Sequence, residues 1–281
     1  MDKYQDICNI NFSVEEFRYP FPSGKSEINR SEIQHGIIKY VWQGNFSADM
    51  DEKLKKGIRT LDIGCGYGSW VSDMAQTYPL STFIGIDIVS RYFPKDKDTL
   101  PNAGYLECNI LNGLPFPDET FDFVYQRFLW SSLTEGQWTF IIGEIVRVTK
   151  KGGSIELMEF EMKQTNSGPK TALLFDVSAK SLALKGVNPY IISKIPIMLQ
   201  STGKLSNIQC KQETTPLGWG GKLGELALRN LKSGFAAGKS KLMQLMNKSS
   251  EECDALINAL DKETEEYKTC MKHVRIFCKK D

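Results

Sequence analysis

The chain has 281 residues, 41% hydrophobic and 25% charged, the make-up of an ordinary globular protein, which excludes a disordered or fibrous chain. Lys and Arg number 35 against 34 Asp and Glu, a formal net charge of +1, so no positive excess supports a broad, sequence-independent grip on nucleic acid. Two histidines, His35 and His273, cannot build a multi-histidine metal cage, and seven cysteines without C-x-x-C spacing give no disulfide or zinc framework. No metal site is expected. Scattered reduced thiols, no basic leader before an apolar stretch, and a greasiest segment (191–199) broken by Ser193, Lys194 and Pro196 predict a soluble cytoplasmic protein, with the nucleus left open.

In chain order, residues 1–30 are polar, interrupted by Pro20, Pro22 and Gly24. Phe12, Phe17, Tyr19 and Phe21 suggest an arm that docks by its aromatics. Asn29 or Ser31 can cap a helix with Ile33, Ile37, Ile38, Val41 and Trp42 on one face. Gly57 precedes a first strand at 58–63; a glycine-rich turn then opens a helix to about Tyr78, closed by Pro79. Short apolar runs at 82–88, 105–108 and 121–125 read as further strands. Thr134 and Gln137 form a capping box for a helix through Thr149, closed by Gly152 and Gly153, before a fifth strand at 154–161. Apolar strands separated by helices predict a parallel sheet covered on both faces. Beyond Glu161, 169–201 reads as one or two helices, 205–212 as a strand, 221–246 and 249–271 as long helices, and 274–278 as a last short strand. The expectation is one α/β domain over 1–281, with an N-terminal arm and helix (1–48), a ligand-binding core (58–161), and helical lid elements (169–201 and 221–271).

The strongest signal is Leu61-Asp62-Ile63-Gly64-Cys65-Gly66-Tyr67-Gly68, between a strand and a helix. A dinucleotide turn needs G-x-G-x-x-G, but its third glycine would fall on Ser69 or Val71, and no P-loop Gly-Lys-Ser/Thr follows. That spacing disfavours a nicotinamide oxidoreductase. D-x-G-x-G-x-G resembles the first motif of class I methyltransferases, which bind S-adenosylmethionine. That cofactor carries an α-ammonium and a sulfonium but no phosphate, so an acidic neighbour helps binding. On this resemblance Asp62 orients the ammonium, and Gly64, Gly66 and Gly68 let the cofactor pass close to the backbone. The alternative is a tight turn needing glycine for packing alone. Asp87, about 20 residues beyond the turn, can accept both hydrogen bonds of a ribose diol or serve as a strand-end cap. Asn109 stands where such enzymes often carry an acid facing the adenine amine, and its side-chain oxygen can still accept. Cys65, Ile88 and Ile110 complete this wall as packing residues.

Gln126-Arg127-Phe128-Leu129, the stretch from Gly152 to Glu161, Arg30 with Gln34-His35, and Gly218-Trp219-Gly220-Gly221-Lys222-Leu223-Gly224 extend the likeness. With them the chain resembles fungal class I methyltransferases related to methyltransferase-like regulators of secondary metabolism. The resemblance implies a Rossmann-like α/β domain with a seven-stranded, mostly parallel sheet whose last strand is antiparallel. Within it, Gln126 lies near the methionine part of the cofactor. Arg30 either binds the cofactor carboxylate or pairs at the surface with Glu27 or Glu32. Arg127 either binds an anionic acceptor or forms a structural ion pair. Trp130 is pocket wall or core, like Trp42 and Trp138, and His35 is a base or a structural residue.

The activity implied is transfer of a methyl group from S-adenosylmethionine to a small-molecule acceptor. In-line displacement from a sulfonium gains most from alignment, so no catalytic base is assigned. No Asn-Pro-Pro-Tyr-type segment follows the fourth strand to mark adenine or glutamine methylation. Residues 221–248 carry six Lys/Arg against one Glu, either a solvated helix face or a contact for a phosphate-bearing partner. A competing reading is a cofactor-binding regulator with little or no catalysis, acting through a protein partner.

Overall fold

The computed structural model of the chain describes residues 25–95 and 98–281. The expected aromatic arm and the pairing of Arg30 with Glu27 lie outside the described residues and side chains. Among the described residues, β1 (Arg59–Ile63), β2 (Thr82–Asp87), β3 (Ala103–Glu107), β4 (Phe121–Arg127), β5 (Thr149–Phe160), β6 (Leu205–Pro216) and β7 (Cys270–Lys280) form one sheet in the order β3-β2-β1-β4-β5-β7-β6. The pairs within β1–β5 are parallel, and β7 runs antiparallel to both β5 and β6. This is the mostly parallel, seven-stranded sheet that the sequence implied. From β1 the chain winds outward to β3, then returns on the other side with β4. The resulting switch point opens a crevice at the C-terminal ends of β1 and β4.

Alternation along the strands fills both faces. Leu61, Ile63, Ile86, Val124, Ile155 and Leu157 face one core layer, and Phe83, Phe123, Tyr125 and Met158 face the other. The second layer is closed by α1 (Lys25–Val41), α2 (Asp51–Lys56) and α3 (Ser69–Thr77), with Trp70 of α3 stacked on Tyr125 at 4.2 Å and 4°. The first is covered by α4 (Glu135–Val148), whose Trp138, Ile141, Ile142 and Ile145 are buried at helical spacing. The expected capping box is present: Gln137 N donates to Thr134 Oγ1, and Thr134 N donates to Gln137 Oε1.

Several boundaries differ from the sequence reading. Helix α1 already runs at Lys25, so Asn29 and Ser31 lie within it; no breaker stands between Gly24 and them. Gly152 and Gly153 lie inside β5, where Gly152 (φ +71°) sits in a bulge and pairing jumps from Phe121–Thr149 to Phe123–Ser154. The segment 169–201 is α5 (Pro169–Ala183) and α6 (Ile195–Ser201). The expected helix at 221–246 breaks at Gly238 into α7 (Lys222–Ala237) and α8 (Lys239–Met246), and α9 (Ser250–Tyr267) ends at the left-handed Lys268. Strands β6 and β7 exceed the apolar runs that signalled them because β6 is a largely exposed edge, where polar residues complete the ladder.

The α7–α9 segment lies between β6 and β7 and is tied to the rest by side-chain caps. Asn230 Nδ2 of α7 donates to Arg30 O of α1 at 2.7 Å. Glu263 of α9 accepts from Lys170 N, Thr171 N and Thr171 Oγ1 at the start of α5, satisfying helix donors that lack a cap of their own. The connection between α1 and α2 is held by β5 and β7. Glu156, fully buried, accepts from Ser47 N and Ala48 N at 2.7 Å, while Arg275 donates to Gly44 O and Ser47 Oγ. The two charges lie 3.4 Å apart without hydrogen-bond alignment. Glu156→Ala leaves Arg275 buried beside freed backbone amides, so denaturant unfolding should show a loss of about 3 kcal/mol; an unchanged midpoint would remove this clasp from the stability of the fold.

Candidate active site

At the end of β1 the chain turns through Gly64 (φ +71°), Gly66 (φ +54°) and Gly68 (φ +74°), all in the left-handed region that favours glycine. Their surroundings separate the two readings of this turn. A Cβ on Gly64 would meet Leu129 at 2.8 Å, and one on Gly68 would meet the Tyr105 ring at 2.6 Å, whereas one on Gly66 would meet nothing within 4 Å. Packing therefore demands the first and third glycines. The bare side of the middle one faces a cavity of about 480 Å³ at the strand ends, within the size range of small-molecule sites.

One wall of this cavity is Gly64, Cys65, Gly66, Asp87, Ile88, Asn109 and Ile110, seven of the eleven residues expected to hold the cofactor, joined by Tyr67, Tyr92 and Cys108. The Tyr67 and Tyr92 rings lie 4.7 Å apart. Asp87 Oδ2 accepts from Gly66 N at 2.9 Å and Oδ1 from Val89 N at 3.1 Å, so the carboxylate braces the turn and keeps one acceptor site free on each oxygen. Burial raises its pKa. Asn109 Oδ1 accepts from Leu111 N at 3.1 Å and caps a short 3-10 turn, which fixes its amide orientation.

Asp62, the penultimate residue of β1, is only 3% exposed. None of the described residues donates a hydrogen bond to its carboxylate. Desolvation pushes its pKa up to about 7, with the Arg127 guanidinium pulling it down and Asp87 pushing it further up. The opposite wall contains Ser31 and Gln34 of α1, Arg127, Phe128 and Leu129 after β4, Ser131, Ser132, Thr134 and Gln137 at the start of α4, and Lys185 and Val187 after α5. His35 stands behind Arg127: its Nδ1 lies 3.3 Å from Arg127 Nη1, and its Nε2 lies 3.0 Å from Asp73 Oδ2. Of the predicted site residues, Asp62, Gly68, Arg30, His35, Gln126 and Trp130 are not among those lining the cavity. Arg30 is buried under α7. Gln126 is buried and donates to Glu159 Oε1 at 2.6 Å, and Trp130 packs edge-on to Phe160 at 4.5 Å.

Glu159 was not among the predicted site residues. It is fully buried and accepts from Gln126 Nε2, Leu129 N and Trp130 N, pinning the loop that carries Phe128 and Leu129 into the cavity. Burial pushes its pKa up to about 8 against those donors. A charged residue inside the apolar run of β5 is the signal that could have found it. A second concavity, about 570 Å³ between α7 and α9, is more open and lies away from the glycine turn. In the basic segment 221–248, Lys222, Lys232, Lys239 and Lys248 pair with Glu225, Asp261, Asp254 and Glu252, as in a solvated helix face.

The chain matches the family model for a methyltransferase domain over residues 60–153, from β1 into β5. It is 25% identical to the N-methyltransferase verN of Clonostachys rogersoniana over 93% of this chain and 92% of that protein. It is 29% identical to the secondary metabolism regulator laeA of Coprinopsis cinerea over 51% of this chain and 36% of that one. Methyltransferase str3 of Strobilurus tenacellus is 25% identical over 68% of each. The fold is shared with Haemonchus contortus phosphoethanolamine N-methyltransferase 2 solved with S-adenosyl-L-methionine, at a TM-score of 0.51 and 15% identity over 91% of this chain and 58% of that one. Among the described residues no helix is long and apolar enough to cross a membrane.

The two readings of the turn are separable by substitution. Gly66→Ala should cost only the left-handed strain, about 1 kcal/mol. Gly68→Ala adds a clash with Tyr105 worth a further 1–3 kcal/mol or so. Equal losses in chemical denaturation would contradict this division.

Proposed function

We propose that this class I S-adenosylmethionine-dependent methyltransferase transfers a methyl group to a small-molecule acceptor within the cavity at the strand ends. The observation that carries the reading is Asp62, a buried carboxylate without a hydrogen-bond donor among the described residues. Such a group is costly until a cation joins it, and an α-ammonium supplies one, whereas a pyrophosphate would add repulsion. When bound, the cofactor supplies an electrophilic methyl on a sulfonium.

The residues of the chain bind and orient. Asp62 holds the ammonium, and the bare face of Gly66 allows close approach. Asp87 accepts from the ribose diol with the lone pairs that Gly66 N and Val89 N leave free. Asn109 presents the rest of its amide to the adenine edge, between Ile88 and Ile110. On the acceptor side, polar neutral groups and Lys185 form the wall. His35 as a base fits poorly, because its two nitrogens are engaged by Asp73 and Arg127. An acceptor nitrogen that is already neutral needs no base, and the likeness to the N-methyltransferase verN over most of both chains supports that choice. The free thiols of Cys65, Cys108, Cys210, Cys253, Cys270 and Cys278 accord with a reducing, cytoplasmic setting.

Methyl-labelled S-adenosylmethionine incubated with the protein and a fungal extract tests the reading. Label should appear in the small-molecule fraction with release of S-adenosylhomocysteine. Cofactor binding without label in any fraction would favour a regulator instead. Asp62→Ala should weaken cofactor binding at least tenfold, about 1.4 kcal/mol, by calorimetry; unchanged affinity in a folded variant removes Asp62 from the site. The ammonium needs the ionised carboxylate, so affinity should rise with pH up to about 7 and then level. Asp62→Asn should flatten that rise.

A further inference from the structure

Behind the cavity, three side chains from three elements, Asp73 of α3, His35 of α1 and Arg127 of β4, form a line. Asp73 of α3 accepts from Lys39 Nζ at 2.8 and 2.7 Å and from Asn45 Nδ2 at 2.9 Å. The hydrogen bond with His35, followed by these donors, holds its pKa well below the usual carboxylate range against the effect of burial. Its Oδ2 lies 3.0 Å from His35 Nε2, and a carboxylate can only accept, so Nε2 carries the ring proton. Nδ1 then offers a lone pair, which accepts from Arg127 Nη1 at 3.3 Å. Arg127 lines the cavity, and no carboxylate among the described residues forms an ion pair with it. It lies close enough to Asp62 to draw that group's titration down. Arg127 thus brings an unpaired cation to the cavity wall, with the unpaired carboxylate of Asp62 buried nearby.

We propose that Asp73 and His35 aim the Arg127 guanidinium at the carboxylate of the cofactor's amino-acid end, so that Asp62 and Arg127 together read a zwitterion. This rests on the cofactor site proposed above and assigns Arg127 to the cofactor in place of Arg30, which does not line the cavity. His35 acts as a positioning residue. A proton on Nδ1 would remove the acceptor and set imidazolium against guanidinium. Every group that faces it bears on this: Asp73 favours the proton, while Arg127, Lys39 and burial oppose it. Burial, the largest of these influences, sets the pKa of His35 below its ordinary value and so favours the neutral ring.

Calorimetry with two ligands, S-adenosylhomocysteine and its decarboxylated analogue, separates positioning from general structure. The wild-type protein should prefer the carboxylate-bearing ligand by about tenfold or more, as expected for a charge-assisted fork. Arg127→Ala and His35→Ala should each lose most of that preference while binding the decarboxylated ligand within about threefold of wild type. Equal weakening of both ligands by His35→Ala would reduce His35 to a structural role and overturn the relay. A preference that survives Arg127→Ala would move the guanidinium to the acceptor and overturn the assignment. If a truncation fails to fold, Arg127→Met with the same ligand pair reads the guanidinium alone. Wild-type protein that binds neither ligand defeats the cofactor site itself, an outcome distinct from loss of discrimination between them.

Discussion

A carboxylate held out of water at the end of β1 is the constraint around which this site is arranged. Asp62 sits on a strand flanked by β2 and β4, so the parallel sheet that builds the switch point also desolvates it. Its ionised form is penalised by burial and relieved by a cation. On the proposed reading, that penalty selects a cofactor with an ammonium and no phosphate, because the wrong ligand leaves it in place or adds repulsion.

The cavity keeps its shape because β5 places one buried carboxylate on each side of the sheet. Glu156 gathers the chain after α1, and Glu159 gathers the loop after β4. Each accepts backbone N–H groups that regular structure leaves unsatisfied, a role that apolar residues cannot fill. The chain after α1 and the loop after β4, which carries Phe128 and Leu129 into one wall of the cavity, are thereby fixed to the same strand. The α7–α9 insertion adds a further tie through Asn230 and Glu263, closing over α1 and α5.

The parallel core was legible because its strands are apolar and its helices carry their own caps, as at Thr134 with Gln137. The glycine spacing by itself excludes the dinucleotide and P-loop readings, and Asp87, Asn109, Ile88 and Ile110, each at or just after a strand end, line the cavity. Legibility failed where polarity and pairing diverge. The exposed β6 gave too short an apolar run, and Gly152 and Gly153, which resemble a helix stop, serve a bulge within β5. Arg30 and Trp130 carry the right chemistry for a site but do not line the cavity; Arg30 is buried in α1 and Trp130 packs on Phe160.

The sequence by itself determined the fold class, the position of the turn and the kind of ligand it suits, because those depend on local spacing and residue type. The tertiary structure decided which of the three glycines is bare toward the ligand, since that depends on where Leu129 and Tyr105 come to rest. It also decided which arginine faces the cavity and what His35 does there. A hydrogen bond between residues 92 positions apart leaves no periodic trace along the chain; only the crossing of α1 over the ends of β4 and α3 brings His35, Arg127 and Asp73 into one line.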